Sequence, residues 1–347
     1  MRRVAIAGGS GYVGGELARL VLGHPGLELA AVTSERHAGQ PVSRVHPHLR
    51  GRTRLRFSPL AQLEPVDALF LAMPHGRAAG AIEELAGLVG DHGHLVDCSA
   101  DFRLRDAGDY ERWYGEPHPA PAWLDRFVYG LPELDREVLR GARFASGVGC
   151  NATAIQLALL PLARAGLLDP GAPVVADVKA GSSEGGATGN PASHHPVRAG
   201  CLRSYAPVGH RHAAEVEQAL PGLDLHLSIT AVELVRGALA TCHVTVPGDL
   251  TERDVLKAYA SFCAAEPFVE VVHERAGLYR QPEPKLLAGT NRAQVGFALD
   301  AERGRLVALC AIDNLGKGAA GTALQALNLM IGTDETAGLE AFGIHPL

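Results

Sequence analysis

Long apolar runs are missing from this 347-residue chain: none approaches the ~20 residues of a membrane-spanning helix, so no membrane partner is expected. Closely spaced cysteines are missing too. Cys98, Cys150, Cys201, Cys242, Cys263 and Cys310 lie tens of residues apart, with no C-x-x-C pair. That spacing gives no zinc-ribbon or redox-pair signal and argues against a disulfide framework in a chain this long. Lysine is scarce: Lys179, Lys257, Lys285 and Lys317 stand alone among arginines, a bias of the kind GC-rich genomes impose. An excess of positive charge is absent as well. Acidic residues outnumber basic ones by 38 to 32, and the net charge of −6 argues against a nucleic-acid binder. The first apolar stretch, residues 4–7, stops at Gly8, far short of a signal-peptide core, so a cytoplasmic protein is expected.

Glycine, by contrast, is plentiful, at 41 residues with no collagen-like period, which points to tight turns and phosphate-hugging loops. A hydrophobic share of 47% excludes disorder, and the length exceeds what one core supports. The expectation is an α/β enzyme of two domains.

Residues 3–7 form an apolar β run, followed by a glycine turn and by Leu17, Leu20 and Val21 at helical spacing. Further strands are expected at 27–32, 68–72 and 94–97, with a helix around 78–89, the rhythm of a parallel sheet. Residues 101–139 read as a loop-rich excursion. A new regime starts at Gly147: a helix over 151–165, a strand at 173–179, and alternating strands at 225–234, 240–247, 293–299 and 305–312. Their alternation predicts a mixed or antiparallel sheet with one covered face. A last helix is expected over roughly 315–331. The division is then a dinucleotide-binding domain over 1–146, a catalytic and oligomerisation domain over 147–314, and a C-terminal segment, 315–347, returning to the first domain.

The turn Gly8-Gly9-Ser10-Gly11-Tyr12-Val13-Gly14 sits between a strand and a helix, the context a dinucleotide site requires. Glycines let the backbone approach a pyrophosphate whose charge the helix N–H groups stabilise. At the end of the second strand, Ser34, Glu35 and Arg36 decide between cofactors. An acidic residue gripping ribose hydroxyls favours NAD, whereas a hydroxyl plus an arginine suits the 2′-phosphate of NADP; Ser34 and Arg36 favour NADP.

Cys150 follows Gly147-Val148-Gly149 and opens a helix, where the dipole raises the thiolate fraction. It is the candidate nucleophile; Cys242 and Cys310 lie in ordinary strand settings. A base should accompany it, and His210-Arg211-His212-x-x-Glu215 offers one, with His212 and Glu215 on one helix face. The carboxylate would orient the imidazole. His-x-His with a glutamate could bind a metal, but no further ligand lies at ligand spacing, so no metal is expected.

Together these segments resemble the N-acetyl-γ-glutamyl-phosphate reductase family, relatives of aspartate-semialdehyde dehydrogenase. The matching residues are the glycine turn, Asp97-Cys98-Ser99-Ala100-Asp101-Phe102-Arg103-Leu104, Tyr129-Gly130-Leu131-Pro132-Glu133-Leu134, Gly149-Cys150 and His210-Arg211-His212-x-x-Glu215. Arg236-Gly237 and Asp313-Asn314-Leu315-Gly316-Lys317-Gly318 complete the set, so the resemblance spans nearly the whole chain. It implies a Rossmann-type sheet plus an α+β catalytic domain with a mixed sheet, and NADPH-dependent reduction of an acyl phosphate to a semialdehyde with phosphate release. It implies Cys150 as nucleophile, His212 and Glu215 as the base pair, and Asn314 at the nicotinamide end. Arg103, Asn151, Ser183, His210 and Arg211 are then the substrate-side candidates.

Around the nucleophile the arginine-pathway members carry Asn-Pro-Gly-Cys-Tyr-Pro-Thr, and this chain has Gly147-Val148-Gly149-Cys150-Asn151-Ala152-Thr153. That variant and the loop at 181–186 look closer to the lysine-pathway branch. Its substrate, 2-aminoadipate 6-phosphate, is carried on a small acidic protein. Arg44, Arg50, Arg52, Arg54 and Arg56, or Arg198, Arg203 and Arg211, would offer such a carrier a basic surface, and a solvated strand face is the bland alternative. A homodimer or homotetramer is expected. Competing readings are arginine-pathway or dual use, an ordinary aldehyde dehydrogenase, and a dinucleotide-sensing protein without chemistry.

Overall fold

The computed structural model describes residues 1–169 and 171–346. They divide into two units. The first holds Met1–Val148, Gly186–Thr188 and Ala319–Ala341; the second holds 149–185, 189–318 and the chain end from Phe342.

In the first unit six parallel strands form one sheet: β1 (Arg2–Ala7), β2 (Leu27–Val32), β3 (Ala68–Leu71), β4 (His94–Asp97), β5 (Phe127–Tyr129) and β6 (Phe144–Ser146), in the order β2-β1-β3-β4-β6-β5. Val4, Ala5, Ile6 and Ala7 are all buried, which is why β1 reads as a continuous apolar run rather than an alternation. The Tyr12–Gly23 helix turns Leu17, Ala18, Leu20 and Val21 inward. The helix expected around 78–89 is two short ones, Arg77–Gly80 and Ile82–Gly87, because Ala81 (φ −121°, ψ 13°) leaves helical geometry between them. The excursion at 101–139 is more ordered than expected. It holds the Ala107–Tyr114 helix, capped by Asp106, then β5 and the Pro132–Arg140 helix.

The Gly321–Met330 helix is buried along its whole length in this first unit. Polar contacts hold it there: Gln325 Nε2 donates to Glu133 Oε1 (3.2 Å), and His24 Nε2 faces Asn328 Oδ1 (3.1 Å). Arg136 pairs with Glu335 just beyond the helix (2.6 Å).

The second unit is built on a mixed sheet of seven strands: β7 (Pro173–Ala180), β8 (Arg203–Ala206), β9 (Asp224–Ala231), β10 (Ala238–Thr245), β11 (Val269–Val271), β12 (Ala293–Asp300) and β13 (Arg305–Ile312). Their order is β11-β12-β13-β10-β7-β9-β8, with β7·β9 and β11·β12 parallel and the other pairs antiparallel. The Cys150–Arg164 helix packs under β10 and β13, buried from Asn151 to Leu162. Tyr259, on the Glu252–Cys263 helix, donates to the carbonyl of Ala158 (2.7 Å) and ties the two helices together. On the opposite face of the sheet Asp177, Lys179, Leu239, Thr241 and Leu309 stay partly exposed, and Lys179 Nζ pairs with Asp177 Oδ2 at 3.0 Å.

Candidate active site

The glycine turn closes the first crossover of the parallel sheet. Gly11 ends it as the N-cap of the Tyr12–Gly23 helix, with no side chain capping the first-turn N–H groups. Gly8 and Gly9 are stapled to the end of β2: the Gly8 N–H donates to Thr33 Oγ1 (3.1 Å) and the Gly9 N–H to the Thr33 carbonyl (2.8 Å). A Cβ on Gly14 would fall 2.5 Å from Gly9 Cα, so the turn closes this tightly only with glycine there. A Cβ on Gly11 would meet nothing within 4 Å among the described residues. Packing therefore leaves Gly11 open to a ligand, and uncapped helix N–H groups suit an anionic one. These residues fit a dinucleotide pyrophosphate.

Around the turn, Ser34 is buried and its Oγ donates to Ser10 Oγ (3.1 Å). Glu35 accepts the Leu60 N–H on Oε1 (2.8 Å), and Arg36 is exposed. Sequence reasoning passed over His46. Its Nε2 lies 2.8 Å from the Gly9 carbonyl and its ring fills the space above Gly15; burial holds its pKa below the usual imidazole value.

The thiol candidate lies in the second unit. Gly149 (φ −80°, ψ 130°) is the N-cap of the Cys150–Arg164 helix, so Cys150 is its first residue, partly exposed. Over Gly149 sit the two other expected members. Its N–H donates to Glu215 Oε2 (2.8 Å), and Glu215 Oε1 is 3.8 Å from His212 Nε2. A Cβ at residue 149 would lie 2.5 Å from Glu215 Oε1 and 2.6 Å from His212 Nε2. The base pair and the backbone before the thiol are therefore packed into contact. Glu215 is fully buried, and Gln156 Nε2 fixes its backbone by donating to the Glu215 carbonyl (3.0 Å).

His210 stacks edge-on against His212 at 4.5 Å, and its Nδ1 accepts the His212 N–H (3.2 Å). Burial, reinforced by the neighbouring Arg211 charge, lowers its pKa to about 4, so it is neutral near pH 7 and offers no cation. Arg211 is exposed at the start of the His212–Ala219 helix. Asn151 is fully buried; its Nδ2 donates to Glu184 Oε2 (3.1 Å) and its Oδ1 accepts from Cys150 Sγ (3.9 Å), so its amide bridges the thiol and that carboxyl. Ser183 and Asn314 bond to each other: Asn314 Nδ2 donates to Ser183 Oγ (2.8 Å), while its Oδ1 accepts the Gly237 N–H (2.7 Å). Arg103 is buried in the first unit, its charge acting on Asp97 and Cys98.

Asp313 is a second residue that sequence reasoning left without a role. It is buried and accepts the N–H groups of Gly289 (2.5 Å), Leu315 (2.8 Å) and Gly316 (3.1 Å), and Arg236 Nε at 3.0 Å, which fixes the chain beside Asn314. Among the described residues no three His, Cys, Asp or Glu side chains gather as a metal cluster, and no helix is long and apolar enough to cross a membrane.

Residues 3–142 match the family model of the semialdehyde dehydrogenase NAD binding domain, and residues 150–314 match that of the semialdehyde dehydrogenase dimerisation domain. The chain belongs to the semialdehyde dehydrogenase family. Its cofactor class is thereby a nicotinamide dinucleotide. Among semialdehyde dehydrogenase relatives, the [LysW]-L-2-aminoadipate 6-phosphate reductase of Deinococcus radiodurans is 52% identical over 348 residues, covering 99% of this chain and 98% of its own. A putative [LysW]-L-2-aminoadipate 6-phosphate reductase of Thermomicrobium roseum is 51% identical over 351 residues, covering 99% of both chains. In Haloarcula marismortui a putative [LysW]-L-2-aminoadipate/[LysW]-L-glutamate phosphate reductase is 49% identical, covering 99% of this chain and 98% of its own. The semialdehyde dehydrogenase fold is also seen in aspartate semialdehyde dehydrogenase II of Vibrio cholerae, solved with ASA: TM-score 0.70, 15% identity, 96% of this chain and 98% of that one.

Proposed function

We propose that this protein reduces carrier-borne 2-aminoadipate 6-phosphate to the semialdehyde, releasing phosphate, through a thioester on Cys150 and with NADPH as reductant. The observation that carries the reading is the packing of His212 and Glu215 onto Gly149, directly before a thiol that opens a helix. His212 takes the thiol proton as Cys150 attacks the acyl carbon, and Glu215 holds the imidazole and the Gly149 N–H in place. Arg211, exposed beside the pair, is the cation for the acyl phosphate; His210, neutral, acts as a spacer. When bound, the dinucleotide supplies the hydride that takes the thioester to the aldehyde level.

NADP is preferred over NAD because Glu35, the residue that would grip ribose hydroxyls, is tethered on Oε1 by the Leu60 N–H while Arg36 beside it is exposed. Arg36 and Ser34 then face a 2′-phosphate. For the carrier, the run from Arg44 to Arg56 is the favoured docking surface, since all five of its arginines are exposed. Arg198 and Arg203 are only partly exposed and donate to the carbonyls of Val232 and Val197. Two copies would pair through the partly exposed sheet face around Asp177 and Lys179, giving a dimer mass in light scattering.

A second reading has a specific observation behind it: the Haloarcula relative carries both an aminoadipate and a glutamate name. One steady-state assay separates the readings. Turnover of carrier-bound aminoadipyl phosphate is expected to exceed that of free N-acetyl-γ-glutamyl phosphate by about a hundredfold. Comparable rates with carrier-bound glutamyl phosphate would establish dual use, and preference for the free acetylated substrate would reverse the assignment. In the same assay NADPH should outperform NADH, and Arg36→Ala should raise the KM for NADPH about tenfold while leaving NADH unchanged.

A further inference from the structure

Glu184 lies by the start of the Cys150 helix and has no part in the thioester chemistry proposed for Cys150, His212 and Glu215. It sits in the 3₁₀ turn Ser182–Gly185 after β7, and that turn is fixed on both sides. The Ser182 and Ser183 N–H groups donate to the carbonyls of Leu234 (2.8 Å) and Val235 (3.0 Å), and Ser183 Oγ bonds Asn314. So anchored, the turn directs the Glu184 carboxyl at the start of the Cys150 helix. Oε2 accepts Asn151 Nδ2 (3.1 Å), Oε1 is buried with no partner in hydrogen-bond geometry, and the Cys150 side chain is its other polar neighbour. The charged and titratable groups facing it are Cys150 from this helix, Arg198 from the short helix His195–Arg198 and Tyr205 from β8.

We infer that Glu184 is a second proton-transferring catalytic residue, acting at the Cys150 sulphur while His212 serves the attack step. The inference rests on the thioester reading. Its chemical motive is the proton inventory: acyl phosphate plus hydride gives aldehyde and phosphate, and one proton is consumed. The thiol proton, taken by His212, leaves with the phosphate. When the reduced thioester collapses, the alkoxide lone pair becomes the C=O bond and the C–S bonding pair returns to sulphur. Restoring the thiol then requires a fresh proton. Glu184–COOH gives it, becomes the carboxylate, and is reloaded from solvent. Burial pushes the carboxyl up to about 7, partly countered by the Asn151 hydrogen bond, the neighbouring Cys150 side chain and the Arg198 charge, so a protonated share exists at neutral pH.

Glu184→Gln keeps an acceptor for Asn151 and has no proton to release. With carrier-bound aminoadipyl phosphate and no dinucleotide, wild type and variant should each release one phosphate per site, the variant no more slowly than wild type and at most about threefold faster. With NADPH, the variant should oxidise one equivalent per site and then turn over about a hundredfold more slowly than wild type. The wild-type rate should fall as pH rises through about 7, the direction required of an acid. The variant should lack that limb, and Glu184→Asp should recover part of the rate with the limb restored. Iodoacetamide should alkylate Cys150 about threefold faster in Glu184→Gln, because a negative neighbour of the thiolate is gone. Turnover within about threefold of wild type with the limb retained would overturn the role of Glu184. So would a phosphate burst slowed as much as turnover, which would mark a residue that only shapes the helix start. No phosphate burst in the wild type would instead remove the Cys150 thioester itself, and this inference with it.

Discussion

Cys150→Ala is expected to lower turnover by at least about 10⁴-fold, because the carbon–sulphur intermediate cannot form without the thiol. Dinucleotide binding, followed by fluorescence titration, should be kept, since the glycine turn that suits the pyrophosphate makes no use of the Cys150 thiol. Cys150→Ser keeps a hydroxyl of much weaker nucleophilicity and should be nearly as inactive. Activity of the alanine variant above about one per cent of wild type would remove Cys150 from the chemistry.

Gly149→Ala should have the next largest effect, and it tests geometry rather than chemistry. The added methyl would stand 2.5 Å from Glu215 Oε1 and 2.8 Å from His212 Cδ2, closer than real Cβ atoms come. Neither neighbour can swing away cheaply. Both are buried on one helix turn, and Glu215 is held by the Gly149 N–H itself. The pair must shift off the backbone before Cys150, so kcat/KM should fall about a hundredfold or more. Overpacking should also cost about 1–3 kcal/mol of stability, read as a lowered Tm. Near-normal kinetics would show that the pair does not need its position over Gly149.

Local signals made much of this legible in advance. The glycine turn, β1, the Cys150 helix and the long strands of the mixed sheet announce themselves within a few residues, through period, burial or glycine spacing. Two helices carried readable signals that went unused: Asp106 before the Ala107–Tyr114 helix, with Gly115 after it, and the Thr251–Asp254 capping box before the Glu252–Cys263 helix. The short strands β8 and β11 carry too few residues for a period to show. What remained hidden is long-range. Glu184 meets Asn151 across 33 positions, Glu215 meets Gly149 across 66, and Asp313 meets Arg236 across 77. Such partners are set by sheet order, and a linear pattern does not encode it. The helix start and the His-x-x-Glu spacing pointed to Cys150, His212 and Glu215, and the resemblance agreed, but the hydrogen bonds of Asn151 and Asn314 became visible only in three dimensions.

The placement of the Gly321–Met330 helix has a consequence for biosynthesis. Residues 1–148 need partners made only after the mixed sheet, since Glu133, Arg136 and His24 find theirs at Gln325, Glu335 and Asn328. The parallel sheet can assemble early, but its cover arrives after the whole mixed sheet has been synthesised. Nascent chains stalled before residue 319 should therefore expose an apolar flank of the parallel sheet to chaperones.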